Sequence, residues 1–221
     1  MRKLPRSFYL RPTLTIARDL PGKILIRRLG HRLLTGRIVE VEAYLGRRDP
    51  ASHAFRGMTP RNEVMFGPGG HLYVYFTYGM HFCCNVVTER EGKGCAVLIR
   101  AVEPLKGTAT MMRLRRRGPG RPLRSWDLCS GPGKVCRAFG IGREENGADL
   151  CGNGIWITAA AGGHAAIGRS PRIGITSGRE HLWRFYLKGN PHLSRPEKSQ
   201  DHHRDAEAQR RDIFLSKTRM R

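Results

Sequence analysis

The sequence predicts a single α+β domain, built on a curved antiparallel β-sheet with a protruding β-hairpin and surrounding helices. Residues 36–45 alternate apolar and other side chains with a period of two, which is typical of a strand. Within residues 71–102, three β-rich runs separated by turns indicate an antiparallel meander. The length of 221 residues suits one domain.

The first strands follow a short helix expected near the start of the chain. A β-rich run predicts a strand at Ile24–Leu29, and the alternating segment predicts a second strand at Gly36–Leu45. The alternation gives the second strand an apolar core face and an opposite face that presents a carboxylate beside a tyrosine, about 7 Å apart along the strand. The core face holds Val39, Val41, Ala43 and Leu45, and the opposite face holds Glu40, Glu42 and Tyr44.

The meander follows a long loop at residues 46–70, and ordered loops of that length tend to be functional. Tyr78-Gly79-Met80 is the expected turn of its first hairpin. Further along, Pro104 is expected to open a helix that runs to Arg117. The strands of the meander are His71–Thr77, Phe82–Thr88 and Cys95–Val102, and the later elements are a helix at Val135–Phe139 and strands at Gly152–Ala160 and Trp183–Lys188.

Two charged segments are assigned to the periphery of the domain, which covers residues 1–195. Residues 196–221 carry crowded charges of both signs and few apolar residues, which indicates a mobile tail or a loosely docked helix. Residues 115–124 form a basic stretch broken by Gly and Pro. The Gly-Arg-Pro core of that stretch is similar to minor-groove AT-hook segments, and a mobile basic loop is the simpler interpretation.

The charge of the chain is its most unusual property. Forty Lys and Arg residues against 18 Asp and Glu give a net charge of +22. Such a field attracts polyanions, so nucleic acid or an acidic membrane surface is the expected partner, and a generally basic proteome is the competing explanation. We expect no membrane span and no signal peptide, because the required apolar runs are missing. The expected location is cytoplasmic: at the nucleoid in a bacterium, or in the nucleus of a eukaryote.

The cysteines predict neither disulfides nor a metal site. No two of them have Cys-x-x-Cys spacing, and none is grouped with histidine as a zinc site requires. We therefore expect reduced, buried thiols, no metal and no cofactor. The six residues are Cys83, Cys84, Cys95, Cys129, Cys136 and Cys151.

Glu42, Tyr44 and Arg100 are the first candidates for chemistry. A carboxylate beside a polar-tipped ring could orient and deprotonate a water, although a glutamate on an outer strand face is more often simply solvated. Arg100 interrupts an apolar strand, and a cation among aliphatic side chains needs a carboxylate partner. A structural salt bridge is the default interpretation of Arg100, and contact with a phosphate or a water is the alternative.

The hairpin and one helix start carry the candidates for nucleic-acid binding. Tyr78 lies at a solvent-facing tip, where a rigid ring suits insertion between base pairs. Tyr73 and Tyr75 share one strand face and could form a stacking platform, and packing is the alternative for all three rings. Ser130-Gly131-Pro132-Gly133-Lys134 offers free N–H groups and a cation to an anion, without the spacing of a P-loop.

Several of these motifs, taken in order, resemble the alkyladenine (3-methyladenine or methylpurine) DNA glycosylases. The resemblance runs from about residue 5 to residue 193, so residues 1–195 resemble a catalytic domain of that family, and the stretch at 115–124 and the tail lie outside the match. The matching segments are Arg37–Gly46, Asp49–His53, Thr59–Asn62, Met65–Phe66, Leu72–Tyr75, Tyr78–Met80, Leu98–Pro104 and Leu128–Pro132.

The resemblance implies roles for the residues of a base pocket. Glu42 would be the general base that activates the attacking water, and Arg100 would help to hold that water or the nearby backbone. Tyr44 and Tyr75 would sandwich a flipped base, and His53 would form a further wall of the pocket and a hydrogen-bonding group. The backbone around Ala51 and His53 would read the purine edge. Asn85 would exclude purines that carry an exocyclic amino group.

The resemblance also implies contacts with DNA. Tyr78 would fill the gap left by the flipped nucleotide. Family members more typically carry tyrosine at the position of His81, so this position departs from the family pattern. The residues expected to touch the DNA backbone or the flanking pairs are Thr59, Met80, His81 and Lys134.

The implied activity is that of a monofunctional glycosylase in base excision repair. It would bind duplex DNA through the minor groove as a monomer and hydrolyse the glycosidic bond of flipped 3-methyladenine, 7-methylguanine, hypoxanthine or ethenoadenine. A lyase would need an amine nucleophile, and no lysine lies in the pocket segments. The alternatives are a non-catalytic basic nucleic-acid-binding protein and, by fold analogy alone, a module of the formyltransferase C-terminal type, for which we find no formyl-donor site.

Overall fold

The computed structural model describes residues 2–116, 123–160 and 166–196. These residues form one curved antiparallel sheet with short helices packed against it, so the predicted α+β fold is confirmed. The helices are α1 (Arg6–Tyr9), α2 (Thr13–Asp19), α3 (Thr108–Arg115) and α4 (Pro132–Phe139). The strands are β1 (Ile24–Leu29), β2 (Arg32–Leu45), β3 (Leu72–Thr77), β4 (His81–Thr88), β5 (Cys95–Lys106), β6 (Ile155–Thr158), β7 (Ile167–Ser170) and β8 (Arg184–Leu187).

The sheet is organised around β2, its longest strand in the described residues. The main strand order is β3-β4-β5-β2-β1-β6, and β8 pairs with both β2 and β7. One edge of β2 pairs with β5 along most of its length. The other edge pairs first with β1 and then, at Glu40–Glu42, with β8. The C-terminal half of β2 therefore lies between two strands, one of which comes from the far end of the chain.

The main hydrophobic core lies between the sheet and the helices. Helix α4 contributes Val135 and Phe139, which pack with Ile38 and Ile99 of the sheet. The helix begins with Pro132, whose fixed φ suits a first helical position. It ends at a glycine in the left-handed region, which is a frequent helix stop. The sequence had predicted this helix as Val135–Phe139, so its start lies three residues earlier.

The predicted meander is confirmed, since β3 pairs with β4 and β4 with β5. Strand β5 in turn pairs with β2. The predicted helix from Pro104 is wrong at its start. Strand β5 runs on to Lys106, and α3 begins at Thr108, after Gly107 in the left-handed region (φ 78°). Pro104 lies opposite Gly36 at a register shift between β2 and β5, where a strand tolerates the missing N–H.

The predicted division of β2 into two faces is wrong at Val39. Ile38 pairs with Val102 and Glu40 with Ala101, so Val39 is an extra residue in a β-bulge. Ile38 therefore joins the main core together with Val41. Val39 packs instead in a separate cluster with Ala101 and Leu187.

The face of Glu40 and Glu42 is not an open, solvated face either. Both residues have an exposed fraction of 0%. Both side chains are covered by β8 and by the segments around residues 173 and 194. Strand β7 was not predicted from the sequence, and the two late strands are shorter than expected, at Ile155–Thr158 and Arg184–Leu187.

The predictions for the tail and the basic loop fall largely outside the described residues. Residues 197–221 and 117–122 are not described, so the mobile tail and the AT-hook-like core remain sequence-based expectations. Five of the six cysteines are buried, in agreement with the expected burial, and Cys151 is half-buried. Among the described helices, none combines the length and the apolar character that crossing a bilayer requires.

Replacing Gly36 by alanine should destabilise the fold by about 1–3 kcal/mol through overpacking at the bulged pairing of β2 and β5. A Cβ atom there would lie 2.3 Å from Val102 Cγ1 and 2.9 Å from the carbonyl oxygen of Glu103. Gly154→Ala is the matched control, because its nearest atom lies at 3.8 Å, and it should change the stability by less than about 0.5 kcal/mol. Urea unfolding of both variants measures the difference, and equal stabilities would contradict the assigned packing.

Candidate active site

A cavity of about 360 Å³ opens beside the β3–β4 hairpin. Its walls come from the end of β2, the loop after it, the hairpin, the start of α4 and the segment at residues 173–175. The structure thus brings together most of the residues that the sequence proposed for a base pocket. Those that line the cavity are Tyr44, Ala51, His53, Tyr75, Asn85 and Arg100, and Tyr78, which was predicted to contact DNA, lines it as well.

Glu42 lies directly behind the cavity wall. One carboxylate oxygen accepts the Tyr44 hydroxyl at 3.0 Å and Arg100 Nη1 at 3.2 Å. The other oxygen accepts the backbone N–H of Ile173 at 2.7 Å. Tyr44, Arg100 and Ile173 all line the cavity, whereas Glu42 itself is fully buried. The carboxylate is therefore one side chain away from the cavity.

Arg100 forms a structural salt bridge, which was the default interpretation of this residue, and it also lines the cavity. Its Nε donates to Glu40 Oε1 at 3.2 Å. Glu40 also accepts Arg184 Nε at 2.7 Å and the N–H of Ser194 at 2.6 Å. Burial favours the neutral form of Arg100, but the carboxylates of Glu42 and Glu40 outweigh burial, so the pKa of Arg100 is raised. Two buried carboxylates are thus balanced by two guanidinium groups.

The aromatic wall of the cavity consists of Tyr44, Tyr73, Tyr75 and His53. The rings of Tyr73 and Tyr75 are stacked with centroids 5.5 Å apart, which confirms that the two residues share a strand face. The ring of His53 meets Tyr75 edge-on at 4.5 Å, and His53 Nδ1 lies 3.1 Å from the Tyr73 hydroxyl. Burial, followed by the nearby charge of Glu42, raises the pKa of Tyr44, so its hydroxyl remains protonated and can donate to that carboxylate.

Two side chains in the loop after β2 hold Ala51 and His53 in place. Asp49, fully buried, accepts the N–H groups of Leu45 and Ala51 at 3.2 and 3.1 Å. Asn62 Nδ2 donates to the carbonyl of His53 at 2.8 Å. The Ala51 N–H and the His53 carbonyl are therefore engaged within the protein, which leaves the Ala51 carbonyl and the His53 N–H as the backbone groups for a ligand.

Asn85 and Cys83 lie side by side with the tyrosines in the cavity lining. Asn85 is buried, and its Nδ2 donates to the carbonyl of Tyr73 at 3.3 Å. Burial raises the pKa of the Cys83 thiol to about 11, so it is protonated at neutral pH. Sequence reasoning did not assign Cys83 to the site.

The hairpin tip projects beside the cavity as the sequence predicted. Tyr78 has an exposed fraction of 87% and a φ of 52°, in the left-handed region. Met80 is exposed, and its N–H closes the turn on the carbonyl of Thr77. A Cβ atom built at Gly133 of α4 would lie 3.1 Å from His81, so the hairpin and the start of α4 are adjacent.

The remaining residues proposed for DNA contact lie on two other elements. Lys134, in the first turn of α4, donates to the Ser130 hydroxyl at 3.1 Å. Thr59 is exposed in the loop after β2, and its N–H donates to Asn62 Oδ1 at 2.7 Å. Arg61 of the same loop donates to the carbonyl of Phe76 near the hairpin tip, at 3.1 Å. Loop and hairpin are therefore tied together.

The structure adds a segment that sequence reasoning missed. Arg172, Ile173 and the two residues after them lie against Tyr44, Glu42 and the cavity. A short run between two β-strands carries no periodicity that could have placed it there. Within the described ranges, no cluster of three or more His, Cys, Asp or Glu side chains could hold a metal ion.

Comparisons with known proteins agree on one class of enzyme. A family model described as methylpurine-DNA glycosylase matches residues 7–191. A protein of Alkaliphilus oremlandii is 47% identical over 200 residues, covering 87% of this chain and 99% of its own length. Proteins of Chlorobaculum parvum and Methanocella arvoryzae are each 48% identical to this chain, and each match covers 88% of it. The match spans 91% of the length of the Chlorobaculum protein and 97% of the length of the Methanocella protein. All three are provisionally named 3-methyladenine DNA glycosylases.

Together with the curved sheet, the projecting hairpin and the ring-lined cavity, these matches define the class as DNA glycosylase. Within that class, the chain belongs to the methylpurine-DNA glycosylase family. The resemblance stated from the motifs is thereby confirmed.

Replacing Arg61 by glutamine should raise the pKa of the His53 imidazole. That pKa is lowered by burial and, secondly, by the positive charge of Arg61, so removing the charge makes protonation easier. NMR titration of the His53 ring measures the shift. Arg56→Gln, which removes an exposed arginine from the same loop, is the control and should move the titration less. A His53 pKa that falls in Arg61→Gln would contradict the electrostatic assignment.

Proposed function

We propose that this protein flips damaged purines out of duplex DNA and hydrolyses their N-glycosidic bond in base excision repair. The substrates we propose are 3-methyladenine and 7-methylguanine, together with hypoxanthine and ethenoadenine. One observation carries the proposal: a cavity walled by tyrosines and a histidine has a buried carboxylate directly behind one of the rings. A single carboxylate next to a stacking pocket is what hydrolysis of a flipped nucleotide requires.

Glu42 is the proposed general base. When a base displaces Tyr44 or Arg100 slightly, the Glu42 carboxylate can take a proton from a water and stabilise the positive charge that develops on the sugar. The N–H of Ile173 fixes one carboxylate oxygen, which leaves the oxygen shared by Tyr44 and Arg100 for the water. Arg100 keeps the Glu42 side chain in place, because it contacts the carboxylates of both Glu42 and Glu40.

The rings of the cavity would hold the flipped base. Stacking on aromatic side chains contributes about 1–3 kcal/mol per base, which offsets the few kcal/mol that extrusion costs. 3-Methyladenine and 7-methylguanine carry a positive charge in the nucleotide, so cation–π attraction to Tyr44 and Tyr75 favours them over an undamaged base. The same charge makes 3-methyladenine and 7-methylguanine good leaving groups, so these two bases need no protonation by the enzyme.

Polar groups at the edge of the cavity would select among purines. The Ala51 carbonyl and the His53 N–H are the backbone groups we assign to reading the purine edge. Asn85 is buried, and its amide is held by the Tyr73 carbonyl, so it has little freedom to yield to an exocyclic amino group. Such a contact disfavours a neutral base that carries the group. 3-Methyladenine and 7-methylguanine also carry an amino group, and the attraction of their positive charge to the rings offsets that contact.

The hairpin and its neighbours would bind the duplex from the minor groove. Tyr78 would enter the gap left by the flipped nucleotide, and the phosphates would meet a chain of net charge +22. The residues we assign to backbone or flanking contacts are Thr59, Met80, His81 and Lys134. We propose that the protein acts as a monomer, in the cell compartment that holds the DNA.

We propose a monofunctional hydrolase that leaves an abasic site. A lyase forms a Schiff base with an amine, and the cavity-lining residues of the described chain include no lysine. The alternative is a non-catalytic nucleic-acid-binding protein that uses the same basic surface. Activity on damaged DNA separates the two.

Glu42→Gln should lower the excision of 7-methylguanine by about 10²–10⁴-fold while DNA binding survives, because the amide cannot accept a proton from water. Release of the free base from a duplex oligonucleotide measures the rate, and a gel-shift assay measures binding. Glu103→Gln is the control, since Glu103 is a partly exposed glutamate of β5 that pairs with Arg37 outside the cavity. Excision by Glu42→Gln at the parental rate would overturn the mechanism.

Tyr78→Ala should weaken binding to lesion-bearing duplex about tenfold more than binding to undamaged duplex, because the ring stabilises the flipped state. Leu33→Ala, which truncates another exposed apolar side chain, should weaken neither. Fluorescence anisotropy with matched duplexes gives both affinities. Equal losses on the two duplexes would reduce Tyr78 to an ordinary surface residue.

A further inference from the structure

Arg172 is a fully buried arginine to which the proposed mechanism gives no part. Its two terminal nitrogens pair with the carboxylate of Asp49, which is buried equally, and Nη1 also donates to the carbonyl of Ala43 at 2.9 Å. Its Nε is buried and has no hydrogen-bond partner among the described residues. A buried ion pair with an unpaired donor is a poor way to stabilise a fold. The pair therefore calls for a role in the site.

The guanidinium lies under a wall of the cavity. Its carbon is 4.7 Å from the centroid of the Tyr44 ring and 4.9 Å from that of Trp183. Tyr44 lines the cavity, whereas Arg172, whose side chain has no exposed surface, does not. The guanidinium therefore occupies one face of the Tyr44 ring, and the other face is the one available to a base in the cavity. The next residue, Ile173, holds Glu42 through its N–H.

A cation on one face of a ring changes what the other face can bind. It draws the π electrons toward itself, which weakens the attraction of the opposite face for a second cation. The carboxylate of Asp49 lies within salt-bridge distance of the same guanidinium and cancels most of that effect. The balance of charge behind Tyr44 thus controls how strongly the ring attracts a positively charged base.

We propose that the Arg172–Asp49 pair is a specificity-determining element, which positions the Tyr44 ring and sets the preference of the cavity for cationic over neutral purines. The proposal rests on the proposed function, because it takes Tyr44 as a stacking surface for the flipped base. Asp49 contributes to positioning as well, since it also holds the N–H groups of Leu45 and Ala51 at the two ends of the turn after β2.

The test is the ratio of two single-turnover rates, for 7-methylguanine, which is cationic, and hypoxanthine, which is neutral, in the same duplex sequence. Asp49→Asn leaves the guanidinium uncompensated, so the ratio of the 7-methylguanine rate to the hypoxanthine rate should fall about three- to tenfold. Arg172→Met leaves a carboxylate alone behind the ring, so the ratio should rise. The double variant carries neither charge and should return to within about twofold of the parent.

A purely structural role would lower both rates equally and leave the ratio unchanged in each single variant, which would overturn the proposal. Glu145→Gln is the matched control: it breaks the Arg27–Glu145 pair, which is largely buried but does not line the cavity, and should leave the ratio unchanged. If circular dichroism shows that Asp49→Asn does not fold, the Arg172→Met ratio decides, and an unchanged ratio overturns the proposal. If the unsubstituted protein excises neither 7-methylguanine nor hypoxanthine, the proposed function itself is overturned, and this proposal with it.

Discussion

Two buried carboxylates on one strand are the constraint on which the rest of the site depends. Glu40 and Glu42 lie two residues apart on β2, and neither has any exposed surface. Leaving either charge without partners would cost several kcal/mol. The partners come from distant parts of the chain: Arg100 from β5, Arg184 from β8, and the backbone of residues 173 and 194. Docking of the late segments onto β2 is therefore an electrostatic requirement as well as a pairing of strands.

The same constraint shapes the register of the sheet. Arg100 lies between Ile99 and Ala101 at a place where β5 has one residue more than β2. A regular ladder would have paired Arg100 with a single residue of β2. The irregularity lets one guanidinium contact both glutamates, while Val39 compensates with an extra residue on the opposite strand. A bulge beside an active site commonly re-aims a side chain in this way.

Much of this architecture could be predicted from local patterns, because strands and tight turns are encoded by neighbouring residues. The meander, the hairpin turn at Tyr78 and the strand that carries Glu42 follow from alternation and glycine placement. The bulge at Val39 could not be predicted, since it depends on how β5 meets β2. The helix start at Thr108 was missed because a strand continues through Pro104 at an irregular pairing. Arg172 was missed because its partners, Asp49 and Tyr44, lie more than 120 positions away in the chain.

The Ser194 contact also fixes where the folded unit can be cut. Its N–H and its hydroxyl both donate to Glu40, and the carbonyl of Arg195 accepts a hydrogen bond from Arg184. An expression fragment that stops at residue 193 would remove two donors from an enclosed anion. One that stops after residue 196 would keep every one of these bonds. Fusion partners and affinity tags therefore belong beyond Pro196, where they do not disturb the charge balance around Glu40 of β2.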